Sequence, residues 1–279
     1  MSSERISQPE KQNLVAGPTV ASGDLRLHEL RSQIFRNTRL VRVWLPPAYD
    51  AQGKTSYPVF YLNDGQNLFE SATAFAGVPW AAGETAGRLI GERKIAPLII
   101  VGIDNMGTER VREYIPYRSL DPRVLRPKGK RYPEFLWREV MPLIQGNYLV
   151  AQGAADTALG GSSLGGLITL YTQLAMPGVF GRLLIESPSL FVANRKILDD
   201  CRRFHEWPER MFVGIGTRET AVSEKDEKAV SDVRRLESLL RADGLHQTRL
   251  RVQVEDGATH SEAAWAGRFA AALEFLFGQ

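Results

Sequence analysis

The chain has 279 residues, of which 43% are hydrophobic and 24% charged, a balance that excludes a disordered or collagen-like protein. One cysteine, Cys201, excludes a disulfide scaffold and a cysteine-based zinc site. Lys plus Arg number 35 against 32 for Asp plus Glu, and a net charge of +3 is too mild to argue for a nucleic-acid partner.

The length fits one large α/β domain, buries a sizeable core without staples and gives no sign of oligomeric state. No stretch approaches the roughly 18 apolar residues of a membrane span. The first residues lack the apolar core of about 7–15 residues that a secretory signal needs, so the expected compartment is the cytoplasm.

Residues 1–23 are polar and carry Gly17, Pro18 and Gly23, which predicts a loose N-terminal arm ahead of a domain over 24–279. Leu25–Phe35 and Thr38–Leu45 then read as an antiparallel hairpin turning at Arg36-Asn37 and closed by Pro46-Pro47. Pro58–Leu62 reads as a strand that runs into the turn Asn63-Asp64-Gly65. Ala82–Arg93 has helical spacing, and Pro97–Ile103 is the dense apolar run of a strand covered on both faces.

Asp104–Pro133 is irregular and too long for a plain connector. A helix follows within Arg131–Gly146, then a strand at Thr157–Leu159 and a helix at Leu164–Ala175. Strands at Leu183–Ile185, Met211–Ile215 and Leu250–Val254 come next, with helices at Asp226–Ala242 and Ser261–Phe277. This alternation predicts a single-domain, mostly parallel, doubly wound sheet with an antiparallel hairpin at its start. Such sheets bind ligands at the carboxyl ends of their strands.

Gly161-Ser162-Ser163-Leu164-Gly165 lies between a strand and a helix and fits the G-x-S-x-G turn that lifts a serine out of a sheet. The register selects Ser163, because Ser162 has no glycine two positions later. A serine nucleophile needs a base, and the base needs an orienting acid. His28 reads as an exposed strand residue, His205 as a solvated helix end and His246 as a turn residue. His260 alone follows the last strand and opens the last helix, where the base belongs.

The acid is expected after Met211–Ile215. Glu219 is the first carboxylate there, with Glu224 and Asp226 as rivals. The two N–H groups of an oxyanion hole are expected from Leu164 and from Gln66, with Gly65 as the alternative to Gln66.

Several motifs occur in a fixed order: Leu62-Asn-Asp-Gly-Gln-Asn-Leu-Phe69, Ile103-Asp-Asn, Arg112-Glu-Tyr-Ile-Pro116, Gly160-Gly-Ser-Ser-Leu-Gly-Gly166, Ser187-Pro-Ser189, Gly216-Thr-Arg-Glu219 and His260-Ser-Glu262. In this combination the chain resembles the putative esterase family of α/β-hydrolases, which includes esterase D-like, enterochelin esterase-like and feruloyl esterase-like enzymes. The resemblance covers roughly residues 25–278. It implies a serine hydrolase of carboxylic esters that uses no metal and no cofactor, with Ser163 as nucleophile, His260 as base and Glu219 as acid. The substrate it implies is a small-molecule ester, such as an aryl, polyphenolic or siderophore-type ester. Full enterochelin esterases carry an extra N-terminal domain for which this chain lacks the length.

Arg110–Arg131 holds eight cations against Glu113 and Asp121 and is expected near the mouth of the site. That position makes Arg110, Arg112 and Tyr114 candidate substrate contacts, with a basic rim that favours anionic esters. Tyr114, Tyr117, Phe69, Phe75 and Trp80 are candidates for lining an aryl pocket. Two alternatives share the fold: acyl transfer to an alcohol in place of water, and a non-catalytic binding protein.

Overall fold

A computed structural model describes residues 14–20, 23–118 and 126–278. The described strands are β1 (Leu14–Val20), β2 (Gly23–Ser32), β3 (Asn37–Leu45), β4 (Val59–Asn63), β5 (Ile99–Ile103), β6 (Thr157–Ser162), β7 (Arg182–Glu186), β8 (Arg210–Arg218) and β9 (Leu250–Thr259). They form one sheet in the order β1-β2-β3-β5-β4-β6-β7-β8-β9. The β1–β2, β2–β3 and β3–β5 pairs are antiparallel, and every later pair is parallel.

The side-chain period of two sorts each central strand between two apolar layers. Val59 and Tyr61 face one layer, while Phe60 and Leu62 face the other. Likewise Met211, Val213 and Ile215 face the first layer and Phe212 the second. The second layer is closed by α1 (Ala82–Gly91) and α8 (Glu262–Phe277). Trp265, Phe269, Ala272, Leu273 and Leu276 recur on one face of α8 at helical spacing and are buried there.

The first layer is closed by α2 (Arg110–Tyr114), α3 (Tyr132–Phe135), α4 (Met141–Asn147), α5 (Leu164–Ala175), α6 (Val192–Cys201) and α7 (Ser223–Ala242). Strands covered on both faces explain the continuous apolar runs of β4, β5 and β7.

Four local expectations change. Leu14–Val20 is an edge strand paired with β2, so the loose arm expected over 1–23 is structured in that part. The hairpin turns over four residues, with Arg36 at φ 56°, where Arg36-Asn37 was expected. The helix expected within Arg131–Gly146 is composite, with a π-helical segment at Leu136–Val140 between α3 and α4. His28, expected to be exposed, is buried, and its Nε2 lies 2.5 Å from the Tyr148 hydroxyl oxygen. That burial pulls its imidazole below the usual range.

Candidate active site

The carboxyl ends of the parallel strands β4, β6, β7, β8 and β9 lie along one edge of the sheet, and Ser163 stands at the end of β6 on that edge. This residue follows β6 directly and precedes α5, with φ 59° and ψ −123°. A non-glycine residue in that region is strained, and such strain is concentrated at functional turns. The glycines around it exist for close approach. A Cβ on Gly161 would lie 2.9 Å from both Asn63 Cβ and the Gly165 carbonyl carbon, and one on Gly165 would lie 3.0 Å from Asp64 Oδ2.

Neighbouring strand ends hold the turn in place. Ser163 N–H donates to the Glu186 carbonyl at 2.9 Å, and Ser189 N–H donates to the Ser163 carbonyl at 3.1 Å. Ser162, the last residue of β6, is buried, whereas Ser163 is partly open.

His260 follows β9, as expected. Its Nδ1 lies 2.5 Å from Glu219 Oε2. Glu219 Oε1 accepts from Gly216 N–H at 2.7 Å and from Ser187 Oγ at 2.8 Å. Burial opposes ionisation of Glu219, but the bonds from His260, Gly216 and Ser187 outweigh it and hold the carboxyl below its usual range.

The rival carboxylates point elsewhere. Asp226 accepts from Thr220 N–H at 2.5 Å at the start of α7, and Glu224 pairs with Lys228 on its surface. Ser163 Oγ meets no histidine nitrogen within hydrogen-bond reach and approaches Ser189 Oγ at 3.5 Å. Catalytic hydrogen bonds often tighten only with substrate bound. A cleft of about 700 Å³ opens beside His260 and Glu219, walled by Thr217, Arg218, Thr220, Ser223 and Thr259 among others.

The turn after β4 stands across from the elbow. Asp64 has left-handed φ 59°, and Gly65 begins a short 3-10 turn over Gly65–Asn67. A Cβ at Gly65 would lie 2.4 Å from the Gly102 carbonyl carbon, so this position admits only glycine without movement. Gln66 Oε1 accepts from Asn105 N–H at 3.2 Å, which ties the turn to the end of β5. Leu164 is the first residue of α5 and Gln66 the second of its own turn, and N–H groups at such positions have no acceptor within their helix.

The expected substrate contacts Arg110, Arg112 and Tyr114 each have a partner within the chain. Arg110 grips Asp64 through Nε at 2.7 Å and an Nη at 2.8 Å. Burial alone would lower the Arg110 pKa, but the Asp64 carboxylate raises it above the usual range. Tyr114 is fully buried, and its hydroxyl accepts from Asp64 N–H at 3.3 Å, so it supports the turn from below and faces no substrate. Arg112 and Lys128 both pair with Glu109, so one carboxylate offsets one unit of the positive charge expected of this rim. Residues 119–125 of the basic segment, with Asp121 and Arg123, lie outside the described residues.

Of the proposed aryl-pocket residues, Phe69, Trp80 and Tyr117 are core, and Phe75 is exposed. Ser187, Ser189, Asp64 and Trp265 had no assigned role in the sequence. The first three sit in turns already marked by motif, and Trp265 reads there only as one apolar position of a helix.

A mostly parallel sheet, a strained serine between strand and helix, and a histidine–carboxylate pair at the strand ends define an α/β-hydrolase. The chain belongs to the putative esterase family, whose sequence profile matches residues 32–276, and it is a carboxylic ester hydrolase. It is similar to an uncharacterised protein of Bacillus subtilis (strain 168), YbbA, at 25% identity over 246 residues, or 86% of this chain and 93% of YbbA. It is 31% identical over 176 residues to a siderophore enterobactin esterase of Emericella nidulans, covering 56% of this chain and 53% of that protein. Its fold matches the enterobactin esterase of Shigella flexneri with a TM-score of 0.68 at 20% identity, over 93% of this chain and 60% of that one. No helix among the described residues is long and apolar enough to cross a membrane.

Proposed function

We propose that this chain hydrolyses its ester through a covalent acyl-enzyme formed on Ser163. His260 accepts the hydroxyl proton as Ser163 Oγ attacks the ester carbonyl. Glu219, ionised, holds the imidazole by Nδ1 and stabilises the imidazolium that forms. The N–H groups of Leu164 and Gln66, with Gly65 as the alternative donor, receive the negative charge on the carbonyl oxygen. The same His260 then returns its proton to the departing alcohol, and water repeats the sequence to release the acid.

The observation that carries this reading is the 2.5 Å contact between His260 and Glu219 at the strand ends beside the Ser163 elbow. Siderophore and aryl esters are the proposed substrate class, because the Emericella relative is a siderophore enterobactin esterase. A panel of p-nitrophenyl, feruloyl and catecholate esters, run with the wild type and Ser163→Ala, tests both points. Turnover that survives in Ser163→Ala overturns the mechanism. Turnover confined to short alkyl esters overturns the substrate class and leaves the mechanism standing.

A further inference from the structure

The Glu219–His260 pair is closed into a ring by two residues that no sequence motif assigns to catalysis. Trp265 lies on the first turns of α8, five residues after His260, and its indole is buried. Its Nε1–H donates to Ser187 Oγ at 3.0 Å. Ser187 Oγ donates in turn to Glu219 Oε1 at 2.8 Å. The Trp265 ring also meets the His260 ring edge to face, with centroids 5.0 Å apart and planes at 85°.

We infer that Trp265, acting through Ser187, is a positioning residue that sets the direction from which Glu219 holds the His260 imidazole; this rests on the mechanism proposed above.

A serine hydroxyl has one proton and can aim it at several acceptors. A donor with a fixed direction removes that freedom. The indole N–H only donates, so Ser187 Oγ must accept from it, and its own proton is left for Glu219. The carboxylate then carries the serine and Gly216 N–H on Oε1, leaving Oε2 for His260.

Ser187 is built for this task at a backbone cost. It sits at φ 40°, its N–H is held by the Gly214 carbonyl at 2.7 Å, and its side chain is buried. Three elements therefore meet at one hydroxyl: the end of β7, the loop after β8 that carries Glu219, and α8. Trp265 also blocks one face of the space into which the imidazole would otherwise turn. Orientation of the base matters only when the proton moves, so this device acts on the chemical step more than on substrate binding.

The test uses Ser187→Ala, Trp265→Phe, the double variant and Ser163→Ala, each with kcat, KM and Tm on one ester turned over by the wild type. Trp265→Phe keeps an aromatic ring on this helix position and removes the donor together with part of the buried ring volume, which the Tm reading follows. Ser187→Ala removes one hydroxyl and keeps the fold.

Loss of a hydrogen bond to a charged group predicts a fall in kcat of about 10- to 100-fold for Ser187→Ala, with KM within about twofold. Trp265→Phe should fall in kcat by a smaller factor. The double variant should be no slower than Ser187→Ala alone, because the indole acts through that hydroxyl. Near wild-type kcat in Ser187→Ala, or fully multiplicative losses in the double variant, overturns the inference while an inactive Ser163→Ala leaves the mechanism intact. An active Ser163→Ala instead overturns the mechanism. A Tm loss in Trp265→Phe without any change in kcat reduces the indole to packing.

Discussion

Ser163 N–H donates to the Glu186 carbonyl at 2.9 Å, so the turn at the end of β6 hangs from the end of β7. Glu186 is itself fully buried and bound by Arg268 of α8 through Nε at 2.9 Å. Burial pushes its carboxyl up to about 7, against the pull of the Arg268 charge. Arg268 also reaches Glu255 of β9 at 2.7 Å. One arginine thus links the strand that holds the serine turn with the strand that leads to His260.

Ser163, and not Ser162, should carry the acyl group. A fluorophosphonate probe is expected to label the wild type and Ser162→Ala, and to leave Ser163→Ala at its unmodified mass. Ser162 is buried at the end of β6, where a probe has no line of approach. Labelling of intact Ser163→Ala protein would move the nucleophile elsewhere.

His260→Ala should lose several orders of magnitude in kcat, comparable to loss of the serine, because such groups act as a unit. Glu219→Gln should be slowed less, since some activity survives without the orienting acid. Asp226→Asn should keep most of its turnover and lower Tm, because Asp226 serves Thr220 at the start of α7. Steady-state kinetics on the three variants separates the two carboxylates. A crippled Asp226→Asn beside an active Glu219→Gln would exchange their roles.

Stability should depend on Glu219 in a defined pH window. Its carboxyl lies below the ordinary value of 4.5 in the folded chain, so folding favours the ionised form. A carboxyl lowered by folding stabilises the fold above its ordinary value, and that contribution is lost as pH falls through the folded value. The Tm difference between the wild type and Glu219→Gln should therefore be largest near neutrality and shrink below about pH 4.5. A difference that stays constant down to pH 3 contradicts the assigned ionisation.

Arg110 should matter through Asp64 and the turn that carries Gln66. Arg110→Met is expected to lower kcat/KM by about tenfold, the loss expected for a charge-assisted bond. The loss should be equal for a neutral aryl ester and a carboxylate-bearing one, and the same at low and high salt. Exposed charges that steer a substrate act over about 8–10 Å and fade with salt. A loss confined to the anionic ester at low ionic strength would restore Arg110 to substrate recognition.

Much of this protein is written in local pattern. The period of two in the strands and the helical spacing of apolar residues on α5 and α8 place most elements within a few residues, because burial on one face or two leaves its mark on every turn of chain. The serine turn is legible as a local pattern, G-x-S-x-G between a strand and a helix, although the close approach that demands its glycines is to Asn63 and Asp64 on another strand end. The order of Ser163, Glu219 and His260 follows once the strands are counted.

Tertiary structure decided what pairs across the chain. Only the register of β8 against β9 brings Glu219, and not Asp226, to His260, and only the packing of α8 on the sheet sets Trp265 against Ser187. Arg110 and Tyr114 stand in the sequence as candidate substrate contacts, and only the fold shows that both engage Asp64, far away in sequence. Leu14–Val20 has apolar residues but is broken by Gly17-Pro18, which reads as a loop, and its pairing with β2 on either side of that break supplies the backbone partners that make it a strand. These outcomes depend on contacts between distant segments, and no residue's own neighbours along the chain carry that information.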